Sequence, residues 1–360
     1  AKSSNESGRS RSLRTTPTVE FRIHGYMKRK ALALFSGGLD SILVVKLMQE
    51  QGIEVEAVNF TSPFFLCKNP TAGCPSEAVR VAGELGVPIK VIELGVDFLE
   101  MIRSPRHGYG SGMNPCIDCR IFFLRKAAEY MAECGADFIV TGEVLGQRPL
   151  SQRKEAMLLV ERESGLKGLL LRPLSAKFLP PTVPEQEGWV DRGRLPAISG
   201  RSRKEQMRLA SEMGIEGYPI PAGGCLLTEP SFLSKIRDVF DHADTLNMLD
   251  FALLRTGRHF RIGARTKAII GRNEAENETL EDIMRPGDAT LRWLGGGSPL
   301  CVVTGEIRSD LLEMAARILL RFTKAASGSE CSIAVVVDGT ESRLAVVHEF
   351  DEGRIERFRV

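Results

Sequence analysis

The chain has 360 residues, 43% of them hydrophobic and 26% charged, with 48 Lys and Arg against 46 Asp and Glu. This is apolar material for two or three packed domains, and no apolar run approaches the roughly 20 residues a helix needs to cross a bilayer, which excludes a helical membrane span. A net charge of +2 excludes nucleic-acid binding through a global field and leaves only local basic patches for it.

In chain order, residues 1–26 carry Arg9, Arg11 and Arg14 among serines, with no apolar periodicity before Phe21. This predicts a disordered basic tail, and the Arg- and Ser-rich, acid-poor makeup also suits a transit peptide. From Ala31 short β-rich runs alternate with helical ones: strand 31–35, helix 41–51, strand 54–60, helix 76–86, strand 89–94, helix 119–134 and strand 138–141. The alternation predicts an α/β fold with a doubly wound parallel sheet. Ligands of such sheets lie beyond the carboxyl ends of the strands.

Ser36-Gly37-Gly38-Leu39-Asp40-Ser41 joins the first strand to the first helix. Its glycines let backbone N–H groups approach phosphate oxygens where no Cβ intervenes, and such turns often need a positive φ. Ser36 and Ser41 add hydroxyl donors, Asp40 can hold a Mg2+ ion that screens the phosphates, and the helix N-terminus favours an anion. The run lacks the lysine of a Walker A loop and the spacing of a dinucleotide fingerprint. A tight strand-to-helix turn capped by Asp40 would use the same residues. Asn59-Phe60 ends the second strand and Thr141-Gly142-Glu143 ends a later one, so the sheet should bring both to the crevice that holds the loop.

Eight cysteines are few for this length and unevenly spaced, which argues for a reducing compartment, hence the cytoplasm, with metal or redox chemistry. Asn114-Pro115-Cys116-Ile117-Asp118-Cys119 precedes an amphipathic helix carried by Ile121, Leu124, Ala128 and Met131. Both thiols therefore lie near a helix N-terminus, where thiolate is favoured. A third cysteine, Cys225, follows the turn Pro221-Ala222-Gly223-Gly224. Three cysteines with no evident fourth ligand suit a [4Fe-4S] cluster with one iron open to sulfide or a substrate atom. Two alternatives stand beside it: catalytic thiols without a cluster, or a closed Zn2+ site in which Cys67 and Cys74 join Cys116 and Cys119. Cys134, Cys301 and Cys331 read as small apolar core residues. His107 with Gly108, Gly110 and Gly112 reads as a flexible approach to Cys116, either a lid or an exposed loop.

A boundary near residue 238 divides the chain into a unit over 27–238 and a smaller α/β or α+β unit over 239–360. In the latter, Arg258, His259, Arg261, Arg265, Lys267 and Arg272 could contact phosphates and Phe260 could stack on a base. Solvated arginines on a small domain are the plainer reading. A helix is expected over 309–325, with β runs over 331–338 and 344–350. Arg192, Arg194, Arg201, Arg203, Lys204 and Arg208 form a second basic surface.

The SGGLDS loop resembles the SGGxDS signature of the PP-loop, or N-type, ATP pyrophosphatases. With the NPCxxC segment, GADFIVTGEVLGQRP at 135–149, and Ser199-Gly200-Arg201-Ser202-Arg203-Lys204-Glu205-Gln206 leading to the GGC turn, residues 27–235 resemble the tRNA thiouridine synthetases. The likeness is nearest to the catalytic domain of the 4-thiouridine synthetases, and the three-cysteine arrangement resembles the iron-sulfur-dependent sulfurtransferases. The basic stretch from Thr256 to Asn277 resembles the RNA-binding domain of the NFACT ribosome-quality-control proteins.

These resemblances imply an adenine nucleotide alpha hydrolase-like sheet that splits ATP between the α and β phosphates and leaves AMP on a uridine carbonyl oxygen. Sulfur then displaces the AMP. They imply a backbone contact from Phe60 to adenine, although a purely structural Phe60 fits the periodicity as well, and a place beside the nucleotide for Gly142. tRNA is the implied partner. No carrier segment is legible, so free sulfide or a separate persulfide carrier is expected as sulfur donor, and a homodimer is left open. Two departures matter. The 4-thiouridine enzymes carry an RNA-binding module ahead of the PP-loop, where this chain has 26 residues, and the 2-thiouridine relatives often read Thr-Gly-His where this chain has Thr141-Gly142-Glu143. A PP-loop ligase or amidotransferase that adenylates a small carboxylate, with a cysteine zinc site, is the competing enzyme. A noncatalytic RNA-binding module is the competing non-enzyme.

Overall fold

A computed structural model describes residues 28–65, 75–219, 225–348 and 352–360. The basic tail, Cys67, Cys74 and the turn at 221–224 lie outside the described residues. The first half of the chain runs β1 (Lys30–Leu34), α1 (Leu39–Gln49), β2 (Glu54–Thr61), α2 (Pro75–Glu84), β3 (Ile89–Glu93), α3 (Val96–Arg103), α4 (Cys116–Cys134), β4 (Phe138–Thr141), α5 (Lys154–Glu163) and β5 (Leu170–Leu171). The five strands pair in parallel in the order β3-β2-β1-β4-β5. Ala31, Leu32 and Ala33 of β1 are at most 1% exposed, because helices cover both faces of the sheet. That double burial is why the strand reads as an unbroken apolar run. One core holds Leu43, Val45, Ala78 and Val81 from α1 and α2; the other holds Phe98, Leu99, Leu124 and Ala127 from α3 and α4. The strand order reverses between β1 and β4, which opens a crevice at their carboxyl ends.

The expected strands and helices of this half are present with ends shifted by a few residues, and α3, α5 and β5 are additions. The largest useful shift is at α4, which begins at Cys116 rather than at Cys119, so both cysteines fall in its first turn.

The chain continues through α6 (Val183–Gln186), α7 (Lys204–Glu212), α8 (Pro230–His242) and α9 (Met248–Leu253). The C-terminal part comprises β6 (Arg258–Arg261), β7 (Lys267–Ile270), α10 (Glu274–Ile283), β8 (Ala289–Trp293), β9 (Cys301–Thr304), α11 (Ser309–Leu320), β10 (Glu330–Val337), β11 (Thr340–Val347) and α12 (Glu352–Glu356). Its six strands are antiparallel in the order β11-β10-β8-β9-β7-β6. Ala315, Ala316 and Leu319 of α11 pack on Leu291, Val303 and Ile333, so this part is α+β. The last strand starts at Thr340, earlier than expected, because Asp338 (φ 47) and Gly339 (φ 77) form a two-residue hairpin turn between β10 and β11. Asp-Gly was the available signal.

No helix among the described residues is long and apolar enough to cross a membrane. Helix α8 runs through residue 238; its Phe232, Ile236, Val239 and Phe240 join the first half's core, while its charged side meets the second sheet.

A candidate nucleotide and thiol site

Beyond β1 the chain turns through Ser36–Gly38 into α1. Gly37 has φ 72, and a Cβ there would stand 3.1 Å from Ala78 Cα, so both conformation and space demand glycine. Ser41 Oγ donates to Gly38 O at 2.8 Å and lies 3.4 Å from Ser36 Oγ. Asp40, in the first turn of α1, accepts a hydrogen bond on Oδ2 from Gln147 Nε2 at 3.1 Å. Its Oδ1 is buried without a hydrogen-bond partner among the described residues. Burial lifts the Asp40 carboxyl above the usual aspartate range, against the pull of Gln147 and the Arg203 charge. A buried, unpaired carboxylate oxygen beside a phosphate-type loop fits a hard divalent cation such as Mg2+.

The loop opens on a cleft of about 590 Å³ that also takes in Asn59, Phe60, Arg120, Phe123, Gly142 and Cys225. Phe60 lies in the apolar wall, its ring stacked on Phe123 at 5.3 Å and 12°. Gly142 packs on the backbone of Asp40 and Ser41 with no room for a Cβ. Gly37 alone of the expected loop residues turns away, toward α2.

On the cleft wall Glu143, 3% exposed, accepts hydrogen bonds from Arg172 Nε and Thr141 Oγ1, each at 3.1 Å, and faces Arg120 Nε at 3.5 Å. Burial opposes its charge, but Arg120 and Arg172 outweigh that and hold the carboxyl below the usual glutamate range. Arg172 is itself tied to Glu161 and to Met157 O, so the Glu143 carboxylate is a fixed anchor that aims Arg120 at the cleft. Arg148, Arg201 and Arg203 also line the cleft, and none of them makes an ion pair among the described residues. Unspent guanidinium groups around a phosphate-type loop give a site for polyanion charge.

The thiols arrive from two directions. Cys116 and Cys119 occupy the first turn of α4, and Asn114 Nδ2 donates to Cys116 Sγ at 3.2 Å. Cys225 is brought to them by an interlock: Met113 N–H donates to Leu227 O at 2.9 Å, and a Cβ on Gly112 would stand 2.5 Å from that same oxygen. Gly112 thus serves close approach rather than flexibility. His107 is also fastened, its Nδ1 at 2.9 Å from Asp118 Oδ1 and its N–H donating to Asp118 Oδ2 at 2.9 Å.

Burial first, and then the neighbouring Cys225 and Cys116, push the Cys119 thiol well above the ordinary range. Burial also raises the Cys225 thiol, with Cys116 adding to it and the Arg148 charge opposing. The three sulfurs are therefore mutual electrostatic neighbours, and Cys225 shares the cleft with Asp40. Among the described residues no three Cys, His, Asp or Glu side chains are set around a single metal ion. Cys116, Cys119 and Cys225 are free thiols, an all-sulfur donor set of the chemical type that iron-sulfur clusters take. Cys301 and Cys331 are buried in the second core, and burial pushes the Cys301 thiol to about 12.

The C-terminal basic residues are arranged differently from the expectation. Phe260 and His259 are at most 1% exposed, so neither can stack on a base or reach a phosphate. Arg261 and Lys267 are bound to Asp238, Arg272 to Glu276 and Arg265 to Asp244, while Arg258 stacks over Phe322. Of the second basic surface, Arg192 is bound to Glu185 and Arg208 to Glu205 and Glu212, whereas Arg201 and Arg203 belong to the cleft. Arg120, Gln147 and Arg148 were not singled out from the sequence; the signal was their place directly after Cys119 and in the run that follows β4.

Residues 257–359 match the model of the NFACT protein RNA binding domain, and residues 26–177 that of the thiamine biosynthesis protein (ThiI) family. The tRNA-specific 2-thiouridylase MnmA of Trichlorobacter lovleyi is 34% identical over 121 residues, 32% of this chain and 33% of that protein. The enzyme of the same name from Rhizobium etli is 29% identical over 203 residues, 52% of this chain and 46% of its own. A 4-thiouridine synthetase solved in complex with RNA and bound ATP covers 52% of each chain at 21% identity and a TM-score of 0.33. The chain spans between a third and a half of the length of these curated relatives. The N-terminal part is thus similar to the ThiI family, and the C-terminal part to the NFACT protein RNA binding domain.

Proposed function

We propose that this chain is an ATP-dependent tRNA sulfurtransferase that adenylates a uridine carbonyl oxygen and replaces it with sulfur, the product being 4-thiouridine. The observation that carries the reading is that Asp40 and Cys225 line one cleft, with Cys116 and Cys119 beside Cys225. Residues 27–238 are the catalytic unit in this reading, and 239–360 hold the RNA in the cytoplasm.

ATP would place its phosphates on the N–H groups and hydroxyls of Ser36–Ser41 and its adenine toward Asn59-Phe60, and Asp40 would hold a Mg2+ ion that screens the phosphate charge. The uridine O4 attacks the α phosphorus, the bond to pyrophosphate breaks, and Arg148, Arg201 and Arg203 offset the charge that develops there. The base now carries AMP. A sulfur nucleophile adds at C4, the C4–O bond breaks, and AMP leaves with that oxygen. Burial of Cys119 and Cys225 disfavours their bare thiolates. A [4Fe-4S] cluster on Cys116, Cys119 and Cys225 would supply an open iron position for sulfide, delivered free or by a separate persulfide carrier.

The test is anaerobic incubation of the protein with tRNA, ATP, Mg2+ and sulfide, followed by nucleoside mass spectrometry. One 4-thiouridine and one pyrophosphate per turnover are expected, with pyrophosphate release dependent on tRNA. Release that ignores tRNA and responds to a small carboxylate overturns the reading, and 2-thiouridine as the product overturns the assignment of C4.

A further inference from the structure

Helix α8 connects the third cysteine to the C-terminal sheet. A short helical turn, Leu226–Thr228, links Cys225 to Pro230 at the start of α8, and Thr228 donates to Cys225 O from its N–H (2.9 Å) and its hydroxyl (2.7 Å). On one side α8 is held by the catalytic half: Phe232 packs edge-on against Phe64 at 6.0 Å, and Arg103 Nη2 donates to Phe240 O at 3.1 Å. On the other side it is held by charge. Asp238, 8% exposed, accepts from Arg261 Nε at 2.9 Å and Nη2 at 2.7 Å, and from Lys267 Nζ at 2.8 Å. Arg261 comes from β6 and Lys267 from β7, so one carboxylate ties the helix to both strands of a hairpin. His242 of the same helix stands 3.5 Å from Asp238 Oδ1 and is the remaining titratable group paired with it among the described residues. Lys235, one turn earlier, donates to Leu254 O at 3.0 Å and Gly257 O at 3.2 Å.

A carboxylate buried against two cations is costly to break and strongly directional. It is the α8 carboxylate that forms ion pairs with both β6 and β7. We propose that Asp238 is a positioning residue for Cys225: by binding Arg261 and Lys267 it locks α8 to the β6–β7 hairpin, so that the C-terminal domain sets where Cys225 stands relative to Cys116 and Cys119. The consequence for sulfur transfer rests on the function proposed above; the geometric claim does not. The C-terminal domain is then part of the thiol site and not only an anchor for RNA.

The experiment compares the full metal-free chain with Asp238→Asn, which keeps the volume and removes the charge. The probe is dibromobimane, which fluoresces on bridging two nearby thiols, with the bridged pair mapped by peptide mass. Bridging of Cys225 to Cys116 or Cys119 should slow at least tenfold in the variant, with ATP affinity unchanged within twofold. Asp238→Glu should recover part of the rate. Lys267→Met, which leaves the Arg261 pair in place, should slow bridging to an intermediate degree and decides the matter should Asp238→Asn not fold. Equal bridging rates in wild type and variants overturn the proposal, and so does an ATP affinity that falls in step with bridging, since that marks a merely structural role. Because bridging needs no turnover, it decides the geometric claim even if no tRNA thiolation is found.

Discussion

A Cβ on Gly142 would stand 2.8 Å from the carbonyl carbon of Asp40 and 2.9 Å from the amide nitrogen of Ser41. The residue just after β4 therefore rests directly on the first turn of α1, and the two sides of the switch point are locked backbone to backbone. Close approach, and not a left-handed conformation, is what requires glycine here. Gly142→Ala must displace the loop N–H groups that would face phosphate. We expect ATP affinity to fall at least tenfold, while folding stability drops by about 1–3 kcal/mol, the usual cost of overpacking. Calorimetric titration and thermal melting measure the two separately.

Asp40 gives a prediction with a sign. Its folded carboxyl sits above the unfolded value because of burial, so the native state keeps a proton that the unfolded chain releases. Stability therefore falls as pH rises through that interval and stays lower above it. Asp40→Asn removes this penalty. The ligand-free variant should be more stable than wild type at pH 7 and lose that advantage near pH 4, yet bind Mg2+-ATP tenfold or more weaker. A variant equally destabilised at both pH values would show that the carboxylate is structural.

The phosphate-type loop was legible in the sequence because its chemistry is local: two glycines, an acid and a serine between a buried strand and a helix dictate their own turn. The cysteines were legible by type but not by contact, since the interlock of Gly112 with Leu227 joins segments far apart in the chain and leaves no periodicity. Arg148 escaped notice because arginine is common and only the fold shows which guanidinium lacks a partner, and Arg120 because its pairing with Glu143 is a tertiary contact. The C-terminal basic run misled for the converse reason. Asp238, upstream in a helix, neutralises Arg261 and Lys267 across a tertiary contact, and His259 and Phe260 are both buried although adjacent in a strand.

The thiols should reveal their burial through reactivity. With Cys119 and Cys225 both held above the ordinary thiol value of 9.0, little thiolate exists at neutral pH. Pulsed iodoacetamide labelling with peptide mapping should find both at least tenfold slower than a free thiol at pH 8, with rates still climbing past pH 9. Reconstitution with iron and sulfide should block Cys116, Cys119 and Cys225 together and leave Cys134 reactive. Fast labelling of Cys119 at pH 7 would contradict the geometry.

Lys235 offers a test of the α8 joint by pH. Burial, reinforced by the charges of Arg272 and Lys267, lowers its pKa to about 8 from 10.5. Between those values the unfolded chain holds a proton that the native state has released, so the stability contributed by this group rises with pH across the window, and its penalty is complete below about pH 8. Lys235→Met abolishes the titration but leaves Leu254 O and Gly257 O without their donor, at a cost of about 1–3 kcal/mol that does not depend on pH. The neutral amine still donates, so wild type should gain on the variant by up to about 3 kcal/mol between pH 8 and 10. Urea unfolding at half-unit steps reads this difference directly. A difference that stays flat would mean that water reaches Nζ in the native state, and the joint between α8 and the C-terminal domain would then be looser than its hydrogen bonds describe.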